Sequence, residues 1–167
     1  IRIWDSSSGM CTDILKGHTD GILNFCISVD QKKLVSCGWD KLIIEWDLER
    51  KSIARIYCGH NNPVVHIAFF NNDTRLVSIG SDHILKIWDT GTGECLDTIK
   101  TLKNISTGFT LDSNNLLYMG CADGSIQCLN LSGPRLVREF SGHTEMVNCL
   151  ELIEDENMLF SGSGNNS

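Results

Sequence analysis

Residues 17–47 read GHTDGILNFCISVDQKKLVSCGWDKLIIEWD, and residues 59–89 read GHNNPVVHIAFFNNDTRLVSIGSDHILKIWD. Both stretches open on Gly-His and close on Trp-Asp. Between those marks, each carries a serine (Ser36, Ser78) ten places before the tryptophan and an aspartate (Asp40, Asp82) six places before it. The beat extends along the chain. Trp4, Trp46 and Trp88 stand 42 residues apart, each followed by aspartate, and Leu129-Asn130 comes 41 residues later in the same phase. Gly17-His18, Gly59-His60 and Gly142-His143 keep the same rhythm, the last gap of 83 residues being two periods with one pair missing. Self-similarity at about 40 to 45 residues means that one supersecondary unit is stacked on copies of itself.

The interior of the unit is a series of short strand-like runs separated by turn residues. From Asp20 to Cys58 the expected strands are Ile22–Val29, Lys33–Cys37, Leu42–Trp46 and Ile53–Cys58 (a to d), with turns at Asp30-Gln31-Lys32, Gly38-Trp39-Asp40-Lys41 and Asp47-Leu48-Glu49-Arg50. Val64–Phe70, Arg75–Ile79, Ile84–Trp88 and Cys95–Lys100 repeat the order, as do Ile105–Leu111, Leu116–Gly120, Ser125–Leu129 and Leu136–Phe140. No segment shows a helical period, and both prolines, Pro63 and Pro134, lie outside strand centres. The expectation is an all-β chain of four-stranded antiparallel units, divided at 1–17 (strands c and d), 18–59, 60–101, 102–142 and 143–167 (strands a and b).

Composition narrows the function. Net charge is −7 and there is no Lys/Arg cluster, so the basic footprint of a nucleic-acid binder is missing. No apolar run approaches the ~20 residues of a membrane helix. The chain opens on Ile1 with no charged-then-apolar leader, as expected for a mature, processed or fragmentary chain. Eight cysteines (Cys11, Cys26, Cys37, Cys58, Cys95, Cys121, Cys128, Cys149) are scattered through strand-like runs and none forms Cys-x-x-Cys. They read as buried, reduced thiols of an intracellular, cytoplasmic or nuclear protein, not as a zinc or redox framework. No metal or cofactor is expected.

On the Gly-His and Trp-Asp dipeptides, the turn aspartates and the four strand slots, the chain resembles the WD-repeat β-propeller family over essentially its whole length. The resemblance implies blades braced by a buried hydrogen-bond relay, in which the turn Asp holds the Gly-His imidazole, the imidazole holds the strand-b Ser, and the Ser holds the Trp indole. In the first complete repeat these are His18, Ser36, Asp40 and Trp46. In the second they are His60, Ser78, Asp82 and Trp88. The third repeat departs from the pattern: Leu102, Met119 and Leu129 replace His, Ser and Trp, Asp123 remains, and apolar packing alone is expected to hold it. In the fourth, His143 and Ser161 survive, Asn165 replaces Asp, and Trp4 completes the set if the ends meet. A His/Asp/Ser set repeated in every unit is bracing, not a nucleophile with an oxyanion site, so no enzyme is expected.

The chain is four repeats in circular phase. Either Ile1–Trp4 pairs with Leu159–Ser161 to close a four-bladed ring, or the chain is a portion of a larger, seven-bladed ring, the arrangement the resemblance favours. Edges left unpaired would self-associate. The implied function is a scaffold that presents a propeller face to protein or peptide partners, with neither nucleic acid nor membrane among them. Residues expected on that face are Trp39, Ser81, Ala122 and Gly164 before the turn aspartates, and Asp20, Asn62, Lys103 and Glu145 after the Gly-His slots. Trp39 is the expected anchor, since a large aromatic at an exposed turn suits a binding hot spot. Two alternatives stay open. One is a structural assembly unit of a large complex or filament. The other is a ubiquitin-ligase substrate receptor, which calls for an Arg where this chain has Ser7, Glu49 and Gly91.

Overall fold

The computed structural model describes residues 1–101, 103–133, 135–153, 155 and 157–164, with the backbone alone at Thr107. It divides into two units, Ile1–Thr98 and Ile99–Ser167. The first holds a two-stranded sheet of β1 (Arg2–Trp4) and β2 (Cys11–Ile14) and a four-stranded sheet of β3 (Ile22–Ile27), β4 (Lys33–Gly38), β5 (Ile43–Asp47) and β6 (Ser52–Tyr57). A second four-stranded sheet follows, of β7 (Val64–Phe70), β8 (Arg75–Gly80), β9 (Ile84–Asp89) and β10 (Cys95–Lys100). The other unit holds β11 (Ile105–Leu111), β12 (Leu116–Cys121), β13 (Ile126–Asn130) and β14 (Leu136–Phe140) in one sheet and β15 (Val147–Ile153) with β16 (Met158–Ser163) in another. Within each sheet the strands follow chain order, and no α-helix occurs among the described residues.

The inner strands owe their near-continuous apolar character to burial on both faces. β4 and β5 are buried along almost their whole length, whereas the outer strand β6 is mostly exposed. A run such as Leu34-Val35-Ser36-Cys37 therefore lacks the alternation of a half-buried strand. Most strand boundaries fall within a residue of expectation, and in two places a side chain that captures the backbone accounts for the difference. β3 ends at Ile27, not Val29, since the Ser28 hydroxyl donates to Asp30 Oδ1 (2.6 Å) and accepts from the Lys33 N–H (3.0 Å), closing the turn early. β5 begins at Ile43 because the Leu42 N–H donates to Asp40 Oδ1 at 3.2 Å.

In the first unit, sheets pack face to face through the tryptophans. Trp88 lies in a core of Val35, Cys37, Ile43, Tyr57, Val64, Ile67 and Leu76, edge-on to Tyr57 at 5.7 Å between ring centroids. Trp46 occupies the equivalent place with Leu15, Leu34 and Ile44, flanked by Ile1 and Ile3 of the two-stranded sheet. Buried Glu45 is not left alone: the Tyr57 hydroxyl donates to Oε2 (2.5 Å) and Lys33 Nζ reaches Oε1 (3.1 Å), as a buried charge requires. Burial, with the Glu45 contact, raises the Tyr57 phenol far above its ordinary range. Arg55 on β6 donates to the carbonyls of Gly91 (2.8 Å) and Thr92 (2.6 Å), tying the outer strand of one sheet to a turn of the next.

The second unit is built likewise around Ile126, Val147 and Leu150, with Tyr118, Phe140 and Leu159 against them. Gly120 permits the close approach of β15: a Cβ there would lie 2.7 Å from the Val147 carbonyl oxygen and 2.8 Å from Ser106 Oγ, which donates to that same carbonyl. The cysteines are free, and the expectation that all are buried is corrected. Cys37, Cys121 and Cys128 are buried and Cys11 and Cys26 half-buried, but Cys58, Cys95 and Cys149 are exposed. Burial pushes the Cys26 and Cys37 thiols up to about 12, so both stay protonated.

Candidate functional site

The turn after the second strand of each four-stranded sheet is built the same way. Asp40, Asp82 and Asp123 each accept, at Oδ1, the N–H two residues on: Leu42 at 3.2 Å, Ile84 at 3.2 Å and Ser125 at 3.0 Å. The next residue is left-handed in each case, Lys41 at φ 66°, His83 at 61° and Gly124 at 85°. This is an Asx turn, the local bond that makes Asp favourable there. One carboxylate oxygen is thereby fixed, and the other faces whatever the preceding loop supplies.

In the first sheet the supplier is His18. Its Nδ1 lies 2.7 Å from Asp40 Oδ2, and its Nε2 lies 2.8 Å from Ser36 Oγ, which accepts the Trp46 indole N–H at 2.8 Å. The His18 and Asp40 side chains are each only 3% exposed. An ionised carboxylate can only accept and an indole N–H can only donate. For the neutral imidazole, the proton therefore sits on Nδ1, and every link joins one donor to one acceptor. Trp46 reaches Ser36 because it pairs with Leu34, one diagonal step along the same face.

In the second sheet the lower links are intact and the upper one is not. His60 Nε2 lies 2.7 Å from Ser78 Oγ, and the Trp88 indole donates to that oxygen at 2.8 Å. The expected His60–Asp82 bond is absent. The Asn62 amide Nδ2 occupies Asp82 Oδ2 at 2.9 Å, and His60 Nδ1 is buried with no hydrogen-bond partner. Burial, reinforced by the Lys86 ammonium and only partly opposed by Asp82, lowers the His60 imidazole to about 4.

The third sheet corrects the expectation of purely apolar bracing. Met119 and Leu129 are buried as expected, and Leu102 lies outside the described residues. Lys103, beside that slot, brings its ammonium to Asp123 Oδ2 (2.9 Å), Ser125 Oγ (2.8 Å) and Glu139 Oε1 (2.8 Å). Bonds to Glu139 and Asp123 raise the lysine above its ordinary value. Bonds from Ser125 and Lys103 hold Asp123 well below the usual carboxylate range, and Lys103 with Gln127 lowers Glu139. In the last sheet His143 Nε2 lies 2.8 Å from Ser161 Oγ, while Asn165 lies outside the described residues. Trp4, on β1, is 57% exposed beneath the Arg2 guanidinium.

The expected face residues separate into two groups. Asn62 and Lys103 are committed to Asp82 and Asp123 within their own sheets, so neither projects freely. Trp39 is 56% exposed; its ring rests over Gly21, and its backbone N–H donates to the Gly21 carbonyl at 2.8 Å. Asp20 and Ser81 are exposed beside the equivalent turns of the first unit, as are Ala122, Glu145 and Gly164 in the second. Ser36 and Ser78 are fully buried, so neither hydroxyl is open to a substrate.

The family profile described as "WD domain, G-beta repeat" matches residues 9–47, 51–89 and 134–167, more than half of the chain. The chain belongs to the WD40-repeat family. Its sheets are propeller blades, and the unmatched stretch 90–133 contains most of the third blade, in which His, Ser and Trp are replaced. Members of this family generally mediate protein–protein interaction or the assembly of complexes. Pre-mRNA-splicing factor PRP46 of Candida albicans is 42% identical over 52 residues, 31% of this chain and 13% of that protein. Autophagy-related protein 16 of Arabidopsis thaliana is 22% identical over 167 residues, 99% of this chain and 25% of that protein. Myosin heavy chain kinase C of Dictyostelium discoideum is 29% identical over 145 residues, 86% of this chain and 18% of that protein. The chain thus spans a quarter or less of these relatives. No helix among the described residues is long and apolar enough to cross a membrane.

Proposed function

We propose that this WD40 chain is a non-catalytic scaffold whose first unit anchors a protein or peptide partner on Trp39. The carrying observation is an aromatic side chain left 56% exposed on a turn whose neighbour, Asp40, is locked from beneath by His18. A rigid turn presents the indole with little ordering cost, and an indole offers a large apolar face with one N–H for a polar contact. Asp20 and Ser81 supply exposed polar groups near the equivalent turns. The names of the relatives, a splicing factor and an autophagy protein, support an intracellular setting. Trp39→Ala, with binding and unfolding measured separately on the full chain, tests the proposal. The expected outcome is a binding loss of about 2 kcal/mol or more with an unchanged urea midpoint. Lost stability with unchanged affinity would return Trp39 to packing over Gly21.

A further inference from the structure

We propose that Asn62 is a latch that holds Asp82 away from His60, so that the second blade has two arrangements of one turn: Asp82 on Asn62, as observed, and Asp82 on His60, as in the first blade. Three observations meet here. The Asn62 amide holds Asp82 Oδ2 at 2.9 Å. The His60 side chain belongs to a residue only 7% exposed, yet its Nδ1 has no partner. Asp82 and His60 flank the small space over Gly80, where a Cβ would lie 2.5 Å from Asp82 Oδ1 and 3.0 Å from His60 Nδ1.

A buried unpartnered nitrogen beside a carboxylate already held by a neutral amide is an exchange in waiting. Rotation of the Asp82 and Asn62 side chains would give Asp82 Oδ2 to His60 Nδ1 and release the amide toward solvent, where water satisfies it. The first blade shows that the product is sterically sound, since His18 and Asp40 make that contact on the same turn. Its loop carries Asp20 at the position of Asn62, and Asp20 bonds the Gly21 N–H instead (2.7 Å), offering no donor that could compete for Asp40. The charged groups bearing on His60 are Asp82 from the turn and Lys86 from β9. Its other neighbours, Ser78 and Trp88, are neutral. His66 on β7 pairs with Ile79 and so belongs to the opposite face of the sheet from Ser78. The latch therefore sets whether His60 sees a carboxylate directly or across a gap.

The test is the titration of His60 by NMR in the full chain, for the parent, Asn62→Ala, and Asn62→Ala with Asp82→Asn. Asn62→Ala should raise the His60 midpoint by at least about one pH unit and produce a protected Nδ1–H resonance, because an ionised partner at hydrogen-bond distance favours the imidazolium. Adding Asp82→Asn should abolish the rise. A midpoint unmoved by Asn62→Ala, a rise that survives Asp82→Asn, or unfolding of Asn62→Ala would each overturn the latch.

Discussion

The blades β3–β6 and β7–β10 share a serine, a tryptophan, a histidine and an Asx turn at matching positions, yet they differ at one atom. Asp40 Oδ2 receives His18 Nδ1, whereas Asp82 Oδ2 receives the Asn62 amide and leaves His60 unpaired. The third blade fills the same oxygen with the Lys103 ammonium. The Asx turn is thus the common element, and the donor brought to its free oxygen is what varies. That donor comes from the His slot itself in the first blade, one place after it in the third and two places after it in the second. A relay expected alike in the first two repeats and missing from the third is instead three local solutions to one problem, that of satisfying a fixed carboxylate.

The largest expected effect probes what the first two blades hold in common. Trp46→Ala and Trp88→Ala each empty a fully buried indole site and should each cost about 3–5 kcal/mol in urea unfolding. Markedly unequal losses would mean that the two cores are not equivalent. Next comes the histidine pair. His18→Ala leaves Asp40 Oδ2 with the Thr19 N–H alone and takes one partner from buried Ser36, and should cost about 2–3 kcal/mol, whereas His60→Ala takes one partner from Ser78 and removes an unpaired nitrogen, costing about 1 kcal/mol. Equal losses would erase the distinction between the blades.

Acid should act on the second blade in a defined window. The folded His60 value, about 4, lies below its ordinary 6.5, so the unfolded chain binds the extra proton first. The stability that neutral His60 contributes is complete above about pH 6.5 and falls as the pH drops toward 4. From about pH 7 to about pH 5 this amounts to about 1–2 kcal/mol, which His60→Ala should abolish when unfolding is followed at both values. The smallest effect belongs to the third blade. Lys103→Met should destabilise less than either histidine change, and the difference from the parent should shrink in 1 M salt, because its ion pairs are partly exposed.

The architecture is legible in the chain because it rests on spacing. The dipeptide beat and the turn aspartates locate every four-stranded sheet, including the third, which the family profile leaves unmatched. The donors on the second oxygen are not legible in the same way, because they depend on side-chain reach. Asn62 looks like an ordinary loop residue until its amide is placed on Asp82. Lys103 had a sequence signal, a cation beside the Leu102 slot, but its acidic partner Glu139 lies 36 residues away on β14. Cross-strand pairing of Gln127 with Glu139 is what brings that carboxylate within range. Trp39, by contrast, stands out from residue type and position alone.

The most direct test of the account compares the two imidazoles in one sample, by nitrogen-resolved NMR of the parent chain at neutral pH. His18 should show a slowly exchanging Nδ1–H bonded to a carboxylate, and His60 should show none. A protected Nδ1–H of the same kind on both histidines would contradict the claim that the blades fill the same oxygen with different donors.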